Sequence, residues 1–177
     1  MQIRREKSPL AQPLSACSGT GVFVGYASLF GVRDASGDMV MPGAFTASLK
    51  QRGVSNIRML FQHDASEPVG TWLEMIENKR GLYVRGRLDC NVQRGRELLS
   101  LLETRGLDGL SIGFKTVSAR RDRMTATRQL THIDLWEISL VTFPMLADAR
   151  VSDVKFNAWA QAARLFRQPD KPQTGVM

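Results

Sequence analysis

One internal segment of this chain carries a clear helical stripe, while most of what flanks it alternates at the strand period. From Asn91 to Arg105, Leu98, Leu101 and Leu102, with Leu99 beside them, fall on one side of a helix that Gly106 ends. The stripe reads as core packing. Before it, Gly19 to Phe30 alternates, with Val22, Val24 and Tyr26 set against Phe23, Gly25 and Ala27. Arg33 to Asp38 reads as a turn. Pro42 can open a short helix in which Phe45 and Leu49 stand one turn apart, stopped by Gly53. Asn56 to Phe61 reads as a strand that delivers His63 to its end. Gly70 to Ile76 and Gly81 to Leu88 predict a hairpin turning at Glu77 to Arg80. Beyond the helix, Leu110 to Ser118 and Gln129 to Phe143 read as strands, the second stopped by Pro144. Ser152 can cap a final helix running to about Arg167. No strand–helix–strand alternation is sustained, so the pattern predicts a mostly antiparallel sheet or barrel with a few helices.

The chain has 177 residues, enough for one domain with a real core. Residues 1–18 and 168–177 lack periodicity and read as a flexible leader and tail around a domain spanning 19–167. No apolar run approaches the roughly 18 residues that span a bilayer, and the basic start is followed only by short apolar stretches. Neither a membrane nor a secretory signal is expected. Cys17 and Cys90 lack metal-type spacing and read as two free thiols. Net charge is +7, from 24 Lys and Arg against 17 Asp and Glu. The basic residues are spread out, with no aromatic-interleaved stripe, so a solvated surface is favoured over a nucleic-acid site.

Chemistry points to two segments. Only His63 and His132 are available as side-chain bases with an ordinary pKa near neutral pH. Gly109-Leu110-Ser111-Ile112-Gly113 places a serine between glycines, which would let a substrate backbone approach closely. The spacing matches a nucleophile elbow, but Ile112, Phe114, Thr116 and Val117 continue a strand where the elbow needs a helix. A serine within a strand can still act as a nucleophile if a base reaches it and a third group orients that base. His63 is the candidate base and Ser111 the candidate nucleophile; an ordinary strand serine and an exposed loop histidine are the plain alternatives. Glu137 lies between large apolar neighbours, where a carboxylate needs a partner, either His63 or a structural arginine. His132, Asp134 and Asp64 compete with it for the third place. Strand alternation puts His132 and Asp134 on the face opposite Glu137. No metal-ligand spacing, phosphate loop or dinucleotide fingerprint is present, so no metal or cofactor is expected.

Five segments, in order, resemble the prohead serine proteases of tailed bacteriophages. They are Gly25-Tyr26-Ala27, Gly37 to Phe45, Leu60 to Asp64 with Pro68-Val69-Gly70, Gly109 to Phe114, and Leu135 to Pro144. The resemblance runs from about Val22 to Ala149. It implies a fold similar to the herpesvirus assemblins: mainly β, a closed antiparallel barrel surrounded by helices. It also implies a serine endopeptidase, with His63 as base and Ser111 as nucleophile, that cuts capsid and scaffold proteins within the prohead or host cytoplasm. For the third member, assemblin-type enzymes use a second histidine and the phage pattern supplies Glu137, so His132 stays in play. Oxyanion donors are sought among Ala119 to Arg123 and at Arg150. Self-cleavage of the leader or tail, and a homodimer through the last helix with Trp159, are further expectations. A non-catalytic assembly scaffold that keeps the fold is the alternative.

Overall fold

The structure is a computed structural model and describes residues 20–154. The leader, the tail and the dimer face around Trp159 lie outside these residues. Eight strands run in chain order: β1 (Val22–Leu29), β2 (Asp38–Val40), β3 (Arg58–Phe61), β4 (Asp64–Glu77), β5 (Gly81–Leu88), β6 (Gly109–Arg121), β7 (Arg128–Val141) and β8 (Val151–Val154). Helix α1 (Thr46–Arg52) lies between β2 and β3, and α2 (Gln93–Glu103) between β5 and β6.

The architecture is mainly β, as expected, but the expected closed antiparallel barrel is not what forms. One mixed sheet follows the path β2-β7-β3-β4-β5-β1-β8, with β6 on β7. Both β2 and β3 pair with β7 in parallel. The chain between β3 and β7 passes through β4, β5, α2 and β6, so the two strands arrive pointing the same way. Nor does the ladder close. Among the described residues, β8 pairs with β1, and the link onward to β6 is an isolated bridge, Arg150 to Gly109. From Phe114 to Ser118, β6 and β7 run as a two-stranded ribbon, and beside Ala119 to Arg121 the short β2 joins the other edge of β7.

The hairpin β4–β5 and helix α2 form where the sequence pattern places them. The buried face of α2 is Leu98, Leu99 and Leu102, while Leu101 is exposed. These leucines join Phe23, Trp72, Leu110, Leu135 and Ile138 in one core, in which Phe23 and Trp72 meet edge to face at 5.7 Å. Strand β2 was not expected. Asp34 Oδ1 accepts from Ser36 N (2.9 Å), Ser36 Oγ (2.7 Å) and Asp38 N (2.9 Å), which shapes the turn leading into it. Ser152 lies in β8 and not at a helix start; the rest of that predicted helix falls outside the described residues. Cys90 is disulfide-bonded, against the expected free thiol. Among the described residues, no helix is long and apolar enough to cross a membrane.

Candidate active site

The site is built around the end of β7, which lies between β3 and β6. Ser139 of β7 is opposite Leu60 on one side and Ser111 on the other. This register brings the two segments singled out in the sequence to one place.

His63 is not at the end of a strand but in the two-residue turn joining β3 to β4, where Phe61 pairs with Asp64. Gln62 and His63 both take left-handed backbone angles, φ 54° and 60°. That combination suits a tight hairpin, but Asn-Gly is the usual occupant. Each non-glycine residue held there costs about 1 kcal/mol or more. Strand β7 and the residue after it secure the turn. Gln62 N donates to Leu140 O (3.0 Å), Gln62 Nε2 to Thr142 Oγ1 (2.7 Å), and His63 N to Ser139 Oγ (3.0 Å).

The imidazole so placed meets Glu137: Nδ1 and Oε1 are 2.6 Å apart. Glu137 Oε2 accepts from Ser139 Oγ at 2.7 Å. The Glu137 side chain is 13% exposed and that of His63 is 41% exposed, so the carboxylate is set inside and the ring faces outward. An ionised carboxylate can only accept, so the network assigns the His63 proton to Nδ1 and leaves Nε2 with its lone pair. His63 is raised above the ordinary histidine range, first by the hydrogen bond to Glu137; burial opposes the shift and the Glu137 charge adds to it.

Ser111 is 5% exposed on β6 and lines a cavity of about 190 Å³. No hydrogen bond joins it to His63 in the structure, and catalytic hydrogen bonds of this kind often form fully only with substrate in place. The glycine at 113 has a role in the fold that its sequence does not reveal. Gly113 pairs with Glu137, and a Cβ there would fall 2.7 Å from the Glu137 Cδ. Its missing side chain makes room for the carboxylate.

The competing residues lie elsewhere. His132 is exposed and opposite Ser118, in the other half of β7. Asp134 takes a two-pronged contact from Arg52 (2.6 and 2.7 Å) and a bond from Trp136 Nε1 (2.7 Å). Arg52 first, then Trp136, hold Asp134 at about 2. Asp64 accepts from Ser66 N (2.8 Å) and Oγ (2.6 Å), which keeps it below its usual range. Of the oxyanion candidates, Arg120 bonds Gln129 (2.6 Å), nine residues along β6 from Ser111. Arg150 pairs with Asp108 and donates from Nε to Ala147 O (2.8 Å). Ser139 was missed by sequence reasoning. The available signal was Glu137-x-Ser139, two positions apart and therefore on one face of a strand.

A family model described as caudovirus prohead serine protease matches residues 11–163. The prohead protease of Enterobacteria phage HK97 is 34% identical over 137 residues, 76% of this chain and 60% of that protein. The prohead protease of Escherichia phage T5 is 26% identical over 120 residues, 66% of this chain and 55% of that protein. The chain thus spans 55 to 60% of the length of these two curated relatives. Among solved structures, the bacteriophage T4 capsid assembly protease matches with a TM-score of 0.59 at 12% identity, covering 75% of this chain and 93% of that one. The KSHV protease bound to a hexapeptide phosphonate inhibitor matches with a TM-score of 0.50 at 16% identity, covering 80% of this chain and 68% of that one. At such identities these likenesses show the fold alone.

Proposed function

Because the chain belongs to the caudovirus prohead serine protease family, we propose that it is a serine endopeptidase acting on capsid and scaffold segments, with Ser111 as nucleophile, His63 as base and Glu137 as the group that orients it. One observation carries the reading. A mostly buried carboxylate, itself bonded to Ser139, holds the imidazole of His63 at 2.6 Å beside the strand that bears Ser111. A structural ion pair would not need a strained turn to present an exposed imidazole.

In this mechanism His63 Nε2 takes the proton from Ser111 Oγ as the oxygen attacks the scissile carbonyl carbon. The resulting imidazolium is stabilised by Glu137, which keeps its own negative charge. His63 then gives that proton to the leaving amine nitrogen, the C–N bond breaks, and an ester to Ser111 remains. Water enters and loses a proton to Nε2. The hydroxyl adds to the ester carbon, and the proton returns to Ser111 Oγ as the acid product leaves.

The test is co-expression with a capsid precursor, followed by gel and mass analysis. Ser111→Ala and His63→Ala should each reduce processing by about a thousandfold or more, the scale on which such units fail. Processing undiminished in either variant would overturn the assignment.

A further inference from the structure

The hydrogen bonds at His63 close into a circuit, and the mechanism uses only part of it. His63 Nδ1 meets Glu137 Oε1 at 2.6 Å, Ser139 Oγ donates to Glu137 Oε2 at 2.7 Å, and His63 N donates to Ser139 Oγ at 3.0 Å. A backbone N–H can only donate, and an ionised carboxylate can only accept. A hydroxyl does both, so Ser139 can join the two. Its one proton is committed to Glu137, and the residue is fully buried, so solvent does not compete for it. Register sets this circuit beside Ser111. On the paired strands β6 and β7, Ser111 is opposite Ser139 and Gly113 is opposite Glu137, and directly opposed residues share a face. The carboxylate thus has Gly113 on one side, where no Cβ intrudes, and Ser139 on its second oxygen. Among the described residues, Ser139 is the one donor to Oε2. The turn itself has other supports: Gln62 ties it to Leu140 O (3.0 Å) and Thr142 Oγ1 (2.7 Å).

We propose that Ser139 is a positioning residue of the site: it fixes the Glu137 carboxylate in the rotation that receives the His63 Nδ1 proton, and it acts on the base through Glu137. The proposal rests on the protease reading above. Without the hydroxyl, the carboxylate is free to turn about its last bond, and the imidazole loses the fixed anchor that sets the direction of Nε2. A serine that only completed the packing of β7 would act independently of Glu137. The two roles therefore differ in whether the effects of the two residues are coupled.

A double-mutant cycle on the full chain tests this, with a fluorophosphonate as the probe and the rate of labelling at Ser111, read by peptide mass mapping, as the signal. Ser139→Ala should slow labelling by about tenfold to a hundredfold, the cost of a small misplacement at a site. The same change made on Glu137→Ala should slow it further by no more than about twofold. A second readout does not depend on activity. The chain has two histidines, so with isotope-labelled histidine, and His132→Ala for assignment, the Nδ1 proton of His63 can be followed by NMR. Its low-field resonance, the mark of a short charge-assisted bond, should leave that position in both Glu137→Gln and Ser139→Ala. Ser139→Cys, close to serine in size and a weaker donor, takes the place of Ser139→Ala in both measurements if the alanine variant does not fold. An equal cost in the two backgrounds, or an Nδ1 resonance unmoved by the change at Ser139, would overturn the positioning role and leave the protease reading intact. No labelling of Ser111 in the unaltered chain would overturn both.

Discussion

His63 lies close to two acidic residues in space or sequence, Glu137 and Asp64, and only one of them touches it. Sequence adjacency suggests Asp64, which turns instead to Ser66; the fold supplies Glu137. The consequence is a pH dependence with a defined sign. A raised imidazole pKa stabilises the fold below the unfolded histidine value, and that contribution is lost as pH rises through the folded value. Catalysis needs the neutral base, so kcat/KM should rise with pH through the same raised value. Glu137→Gln removes the carboxylate behind the shift. It should move the rising limb to lower pH and cut kcat by about a hundredfold or more, as misorienting a catalytic imidazole does. His132→Ala should leave kcat/KM within about twofold; a larger loss in His132→Ala than in Glu137→Gln would reverse the assignment. Gly113→Ala pushes on the same carboxylate and should lower kcat by at least about tenfold with little change in KM. A small misplacement of a group that orients the base costs rate on this scale.

At the level of elements, β7 joins the molecule together: it pairs with β2, β3 and β6 and supplies both Glu137 and Ser139. Helix α1 fixes its lateral position. Ser48, buried on α1, accepts the Leu135 N–H at 2.8 Å. Ser48→Ala leaves that buried donor unpaired, at about 1–3 kcal/mol. Thermal unfolding should therefore fall by a few degrees, while kcat at 25 °C stays near wild type. Unchanged Tm would show that the helix does not brace the strand. The elements were legible in the sequence to different degrees. Alternation along β5 and β7 and the leucines of α2 are local signals, and they were sufficient. Strand β2 has three residues, too few for a period to show. The parallel pairing of β3 with β7 depends on a long connection and has no local mark. Leu101 neighbours Leu98 on a helical wheel, yet the packed face of Gly95, Leu98, Leu99 and Leu102 is centred on Gly95 and Leu102, which leaves Leu101 outside it.

For the molecule as a whole, the likeness to solved capsid and herpesvirus proteases lies in the arrangement of strands, at 12 to 16% identity. A full barrel was the natural expectation from that family, but among the described residues β8 pairs with β1 and meets the β6 strand only at the Arg150–Gly109 bridge. The site was more legible than the fold around it. His63, Ser111 and Glu137 stand out because a base, a glycine-flanked hydroxyl and an acid among apolar residues are each unusual. Ser139 does not, because one hydroxyl in an apolar run has many ordinary explanations. Among the described residues, Arg52, Arg85, Arg94, Arg128 and Arg150 pair with acids. The account's central claim is that His63 activates Ser111. Reaction with a fluorophosphonate, followed by peptide mass mapping, tests it most directly. One adduct at Ser111, formed at least about a hundredfold more slowly in His63→Ala, is the predicted result. An adduct at another residue, or equal labelling of Ser111 without His63, would contradict it.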